Sequence, residues 1–136
     1  MTVRKDSKKI DFETTLDNQM KDHRLRVLFP TKLHVEHHEA DSIFEVVKRP
    51  NHVSRSWENP TNPQHQQAFV NIHDEQYGVT GGNFGLNEYE VTADGQIAVT
   101  LLRCVGELGD WGYFPTPEAQ CLGKHRFNYS VELHGP

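Results

Sequence analysis

One stretch limits the possible folds more than any other. Residues 83–106, NFGLNEYEVTADGQIAVTLLRCVG, set two β-friendly runs on either side of Asp94-Gly95. An Asp-Gly pair tolerates the positive φ angles that tight hairpin turns require. The run before it is 87–91, and the run after it, 97–103, is the longest apolar run in the chain. A two-residue turn would set Val91 opposite Ala98, Glu90 opposite Val99 and Glu88 opposite Leu101, and opposite residues share a face of the sheet. Glu88 and Glu90 would then border an apolar face made by Ile97, Val99 and Leu101. A carboxylate buried there without a partner is costly, so a cation is expected beside it. Arg103, diagonal to Glu88, is predicted to supply it, unless a bulge changes the register.

The rest of the chain repeats the same period. Ile10, Phe12, Thr14 and Leu16 alternate with Asp11, Glu13 and Thr15, and Leu25, Val27 and Phe29 alternate with Arg24, Arg26 and Leu28. Such period-two runs read as half-buried strands, here over 7–16 and 23–29, with a turn at 17–19. These two are expected to pair as an antiparallel hairpin. Further strands are expected at 43–48, 68–72 and 125–131. Residues 51–67 and 106–121 are rich in Pro, Gly, Asn and Gln and read as long loops. No internal repeat and no amphipathic helix is evident. The expected fold is all-β, an antiparallel β-sandwich occupying residues 1–136 as a single domain.

The core of such a sandwich must be thin. The hydrophobic fraction is 35%, and even with the 10 glycines added it stays below the usual ~45–50% apolar share. A net charge of −5 argues against a nucleic-acid partner, which calls for a basic patch. No run of about 18 apolar residues marks a membrane span. Residues 1–10 lack the apolar segment of a secretory signal, so the expected location is cytoplasmic, with Cys104 and Cys121 as free thiols.

Few residues suggest chemistry. Residues 34–41, HVEHHEAD, concentrate three His and three carboxylates, but the spacing fits no zinc pattern. They read as an exposed polar connection or, through 34–36, as a short strand. Glu88 and Glu90 stand about 7 Å apart along a strand, inside the ~5–9.5 Å window of glycosidase carboxylate pairs. Structural or surface carboxylates have the same spacing more often. The glycines of 81–85 join two strands and lack the strand-to-helix setting of a phosphate loop. Trp57, Trp111 and Tyr113 either pack beneath their loops or offer flat rings on which a sugar could stack.

Six segments in order carry a family resemblance: HRLRVLFPT (23–31), ADSIFEVVKRP (40–50), ENPTNPQ (58–64), GLNEYEV (85–91), TLLRCVG (100–106) and TPEAQCLG (116–123). Together the chain resembles the C-terminal β-domain of glycoside hydrolase family 38, the α-mannosidases, in its bacterial branch. The resemblance implies a fragment of a larger supersandwich-type domain. It also implies a parent enzyme that retains configuration and uses an Asp nucleophile and a divalent metal, usually zinc. In that family both belong to an N-terminal catalytic domain, and no residue here matches those motifs. No catalytic or metal-binding residue is therefore assigned, and the chain alone is expected to be silent.

The partners so implied are the N-terminal catalytic domain and a mannoside substrate. Self-association could instead cover the surface that such a domain would hide. Family members send a β-domain loop toward the catalytic pocket, placed here at 82–89, with Asn83, Glu88 and Tyr89 as candidate substrate-binding residues. Relatives often carry a basic residue where this chain has Phe84. The alternative reading is a free-standing carbohydrate-binding β-sandwich with Trp57, Trp111 and Tyr113 as its platform.

Overall fold

A computed structural model describes residues 1–53, 62–109 and 114–136. Two antiparallel sheets dominate it. The larger has seven strands in the spatial order β1 (Thr2–Val3), β2 (Lys9–Asn18), β13 (Gly123–His134), β8 (Gly78–Asn83), β7 (Phe69–His73), β4 (His37–Asp41) and β5 (Val46–Pro50). The smaller has the order β3 (Arg24–Pro30), β10 (Gln96–Arg103), β9 (Glu88–Val91) and β6 (Gln64–His65). A two-stranded ladder, β11 (Glu107–Leu108) with β12 (Phe114–Pro115), and a 3-10 turn, Pro117–Gln120, sit inside the stretch expected to be all loop. Among the described residues no helix is long and apolar enough to cross a membrane.

The sheets pack face to face, as the alternation requires. Ala40, Val70, Ile72, Val79 and Tyr129 of the large sheet meet Tyr89, Val91, Ile97 and Val99 of the small one. Phe29 of β3 bridges the layers, with its ring centroid 5.9 Å from both Phe12 and Tyr129. Gly81 of the large sheet lies against Ile97 of the small one, at a distance where a Cβ would make an ordinary contact of 3.6 Å. The β-sandwich expected from the sequence is the observed fold.

Several local expectations are corrected. Strands β2 and β3 do not pair: β2 runs between β1 and β13, while β3 pairs with β10. Each carries one apolar face, and those faces meet across the core instead of lining up edge to edge. The strand expected at 43–48 begins only at Val46, because residues 42–45 form a turn closed by Ser42 N–H to Glu45 O, with Phe44 at φ +62. Segment 34–41 contributes β4, starting at His37 rather than ending at 36.

The β9–β10 hairpin also differs from expectation. Ala93, Asp94 and Gly95 all lie in the turn, with Gly95 at φ +79 and Gln96 O accepting from Thr92 N–H. Val91 therefore faces Ile97, not Ala98. This one-residue shift moves Tyr89 and Val91 inward and turns Glu88 and Glu90 outward, beside Ala98 and Thr100. A bulge between Thr100 and Leu102 then carries Arg103 to the same outer face. The two shifts cancel, and Arg103 lies 3.1 Å from Glu88 as predicted.

Candidate functional site

The link 84–87 crosses from the large sheet to the small one at one end of the sandwich. Asn83, the last residue of β8, organises it. Its Oδ1 accepts from Leu86 N–H at 2.8 Å, the turn closure typical of an Asn side chain, and its Nδ2 donates to Gln67 O at 3.2 Å. Phe84 N–H donates to Asn128 O at 3.3 Å. On the far side Leu86 is buried, and the buried Gln66 donates to its carbonyl at 3.0 Å. Both ends of the link are thus held. Between them Phe84 is 84% exposed, and at Gly85, with φ +75, a Cβ would meet nothing within 4 Å.

The same end carries a second apolar tip. Asp41 closes β4 there, its main-chain and side-chain oxygens accepting from Gln67 and Ala68 N–H. The turn that follows presents Ile43 and Phe44, both exposed. Beside Phe84, on the outer face of the large sheet, lies a cleft of about 430 Å³. It opens over Gly82, where a Cβ would come within 2.7 Å of Ser130 Oγ. Asp11, Glu13, Asn83 and Asn128 line it, with Lys9 and Arg4 paired to Asp11. The hydrogen bond from Lys9 holds the Asp11 carboxyl below its ordinary value.

The outer face of the small sheet holds a charge cluster. Glu88 meets Arg24 at 2.8 Å and Arg103 at 3.1 Å, and Glu90 meets Arg26 at 2.7 Å. Thr100 donates to Glu88 at 2.7 Å and accepts from Arg24 Nε at 3.0 Å. Burial alone would push the Glu88 carboxyl up. The hydrogen bonds from Thr100 and Arg103 and the charges of Arg24 and Arg103 overcome it, so Glu88 is held below its ordinary value. A glycosidase acid needs the opposite shift; the Arg24 and Arg103 pairs instead tie Glu88 into the outer face of the small sheet.

Tyr89 points the other way. It has no exposed surface, and its hydroxyl is bonded to His38 Nε2 at 2.6 Å and Arg49 Nη1 at 3.0 Å. The hairpin register commits its ring to the core. Glu88 and Tyr89 lie on opposite faces of β9, and Asn83 belongs to the other sheet, so the three do not converge. In the sequence Phe84 stands out only as a departure from a basic residue. Its signal was an aromatic residue placed between Asn83 and Gly85 in a turn.

His38, from the His-rich segment, is buried, with both ring nitrogens bonded, to Asn51 and to Tyr89. Among the described residues no group of three or more His, Cys, Asp or Glu converges as a metal site. Trp57, Trp111 and Tyr113 lie outside the described residues, as does most of segment 58–64.

Residues 1–107 match the family described as "Glycosyl hydrolases family 38 C-terminal domain". The chain belongs to this family. A curated relative, the "Putative mannosylglycerate hydrolase" of Halalkalibacterium halodurans, is 46% identical over 98% of the chain. Two solved structures from Enterococcus faecalis superpose closely. One is an α-mannosidase from strain V583, with TM-score 0.93 and 71% identity. The other is described as a protein in glycosyl hydrolase family 38, with TM-score 0.89 and 68% identity. Each match covers 98% of this chain and only 15% of the larger protein. The family 38 C-terminal domain thus accounts for the sandwich and for the order of its strands. A free-standing carbohydrate-binding module is not favoured.

Proposed function

We propose that this family 38 C-terminal domain serves a cytoplasmic enzyme that hydrolyses α-mannosides. In that enzyme it braces the catalytic domain and lends the 84–87 link to the rim of the substrate pocket. The observation that carries this is Phe84: a large apolar side chain on a link held at both ends, directed away from its own core. Exposed aromatic tips on rigid supports suit contact with another domain or with a sugar face. The nucleophile and the divalent metal, zinc by family resemblance, would be held by the catalytic domain. This chain's part is to position and to exclude water. Glu88 and Glu90 are paired with arginines and carry no step of the reaction.

The test is a chimera in which this chain replaces the matching segment of the Enterococcus faecalis α-mannosidase. Turnover of an aryl α-mannoside and of mannosylglycerate would be measured beside the host and beside a host lacking the segment. Turnover within about tenfold of the host on either substrate, roughly 1.4 kcal/mol in barrier, supports the proposal. A soluble, folded chimera without turnover would refute it.

A further inference from the structure

The two cysteines are far apart in sequence and adjacent in space. Cys104 follows β10, its N–H donating to His23 O at 2.8 Å and its side chain buried. Cys121 ends the 3-10 turn at φ +50. One side-chain nitrogen joins them: Asn18 Nδ2 donates to Cys104 Sγ at 3.4 Å and to Cys121 O at 3.0 Å. The backbones meet as well, with Val105 N–H donating to Ala119 O at 3.0 Å. Asn18 and the Val105–Ala119 bond thus bring the two cysteines side by side, and neither is in a disulfide.

Their access to solvent differs. Cys104 is sealed, and burial pushes its thiol up. Cys121 is partly exposed and lines a surface depression of about 330 Å³ with Lys21, Glu118 and Leu122. A small oxidant can therefore meet Cys121 but not Cys104. That division matches a reactive thiol with a resolving thiol behind it.

We propose that Cys104 and Cys121 form a reversible redox pair, closed into an intramolecular disulfide by hydrogen peroxide. The Cys121 sulfur, as thiolate, attacks the O–O bond. An S–O bond forms, and the departing hydroxide takes a proton and leaves as water. Cys104 loses its proton and its sulfur attacks the Cys121 sulfur. The S–S bond forms, the S–O bond breaks, and the second hydroxide leaves as water. Two thiols and one peroxide give one disulfide and two waters, and a dithiol reductant reverses the change. The new bond ties the end of β10 to the 3-10 turn and locks a contact that otherwise rests on hydrogen bonds, those of Asn18 and Val105 among them.

The experiment uses the reduced 136-residue chain treated with hydrogen peroxide, then alkylated, weighed intact and digested after glutamate. Glu107 and Glu118 separate the two cysteines, so a linked pair of peptides reports the bond directly. The expected result is loss of two hydrogens, no alkylation at either thiol, and a thermal midpoint raised by roughly 5–10 °C. All of these should reverse with dithiothreitol. Cys104→Ala should stop at a sulfenic acid on Cys121 that a diketone probe captures. Cys121→Ser should leave Cys104 unmodified by peroxide, which keeps the test open if Cys104→Ala does not fold. Full alkylation after peroxide, a covalent dimer through Cys121, or direct conversion of Cys121 to sulfinic acid with Cys104 still alkylated would overturn the proposal.

Discussion

The hydroxyl of Tyr89 donates to Nε2 of His38 across 2.6 Å, joining β9 of the small sheet to β4 of the large one. The direction of every bond in this network follows from its ends. Asn51 Nδ2 donates to Val35 O, so Asn51 Oδ1 is left to accept from His38 Nδ1–H at 2.6 Å. His38 Nε2 is then an acceptor, and Tyr89 must donate to it while accepting from Arg49. Tyr89→Phe would leave a buried imidazole nitrogen and a guanidinium N–H without their partner. We expect a loss of about 1–3 kcal/mol, read from urea unfolding at neutral pH. A loss below about 0.5 kcal/mol, the size of an ordinary surface change, would mean the network does not hold the sheets.

The same network makes stability depend on pH. Burial keeps His38 below its ordinary value of 6.5, against the Asn51 hydrogen bond and with help from the Arg49 charge. The unfolded chain therefore takes up a proton at this residue before the folded chain does. The stability contributed by neutral His38 is complete above pH 6.5 and is lost as pH falls below it toward the folded value. Between pH 7.5 and 5.5 the urea midpoint should fall, and His38→Gln should flatten that slope. An equal slope in the variant would assign the effect to other groups.

What the sequence disclosed follows from what is local. The alternation in β2, β3 and β13 depends on neighbours two residues apart, and each was legible as a half-buried strand. The partner of each strand was not. Nothing local says that β2 joins β13, or that β3 lies across the core from β2. Asp94-Gly95 announced a turn but not its length. That length is set by Thr92, whose Oγ1 accepts from Gln96 N–H at 3.0 Å and brings Ala93 into the turn. One residue of register then decided which of Glu88 and Tyr89 faced the core. The family resemblance points to the 82–89 segment. Only the backbone shows that Phe84 is its projecting side chain.

Gly95 and Gly85 should respond differently to alanine. Both have positive φ, where a Cβ costs roughly 1–2 kcal/mol. At Gly95 a Cβ would also come within 2.0 Å of Leu33 O, a main-chain atom that cannot swing aside. At Gly85 no atom lies within 4 Å. Gly85→Ala should therefore lose only the backbone term. Gly95→Ala should lose clearly more or fail to fold, because the hairpin must move away from Leu33. Equal thermal midpoints for the two variants would contradict the placement of the Ala93–Gly95 turn over Leu33.

Phe84 separates stability from function most cleanly. In the isolated chain it is 84% exposed, so Phe84→Ala should change the unfolding free energy by no more than about 0.5 kcal/mol. In the chimera with the Enterococcus faecalis enzyme it would lie against the catalytic domain or the sugar. Full burial of such a ring stabilises by about 1.5–3 kcal/mol, so its loss there should lower kcat/KM by roughly 10- to 100-fold. The split between the two parameters distinguishes the contacts. A raised KM with kcat intact points to substrate contact, whereas loss of both points to a misplaced catalytic domain. Phe44→Ala, at the neighbouring tip, is the comparison for a purely bracing contact. An unchanged kcat/KM for Phe84→Ala would remove the 84–87 link from the pocket rim and leave membership of the family untouched.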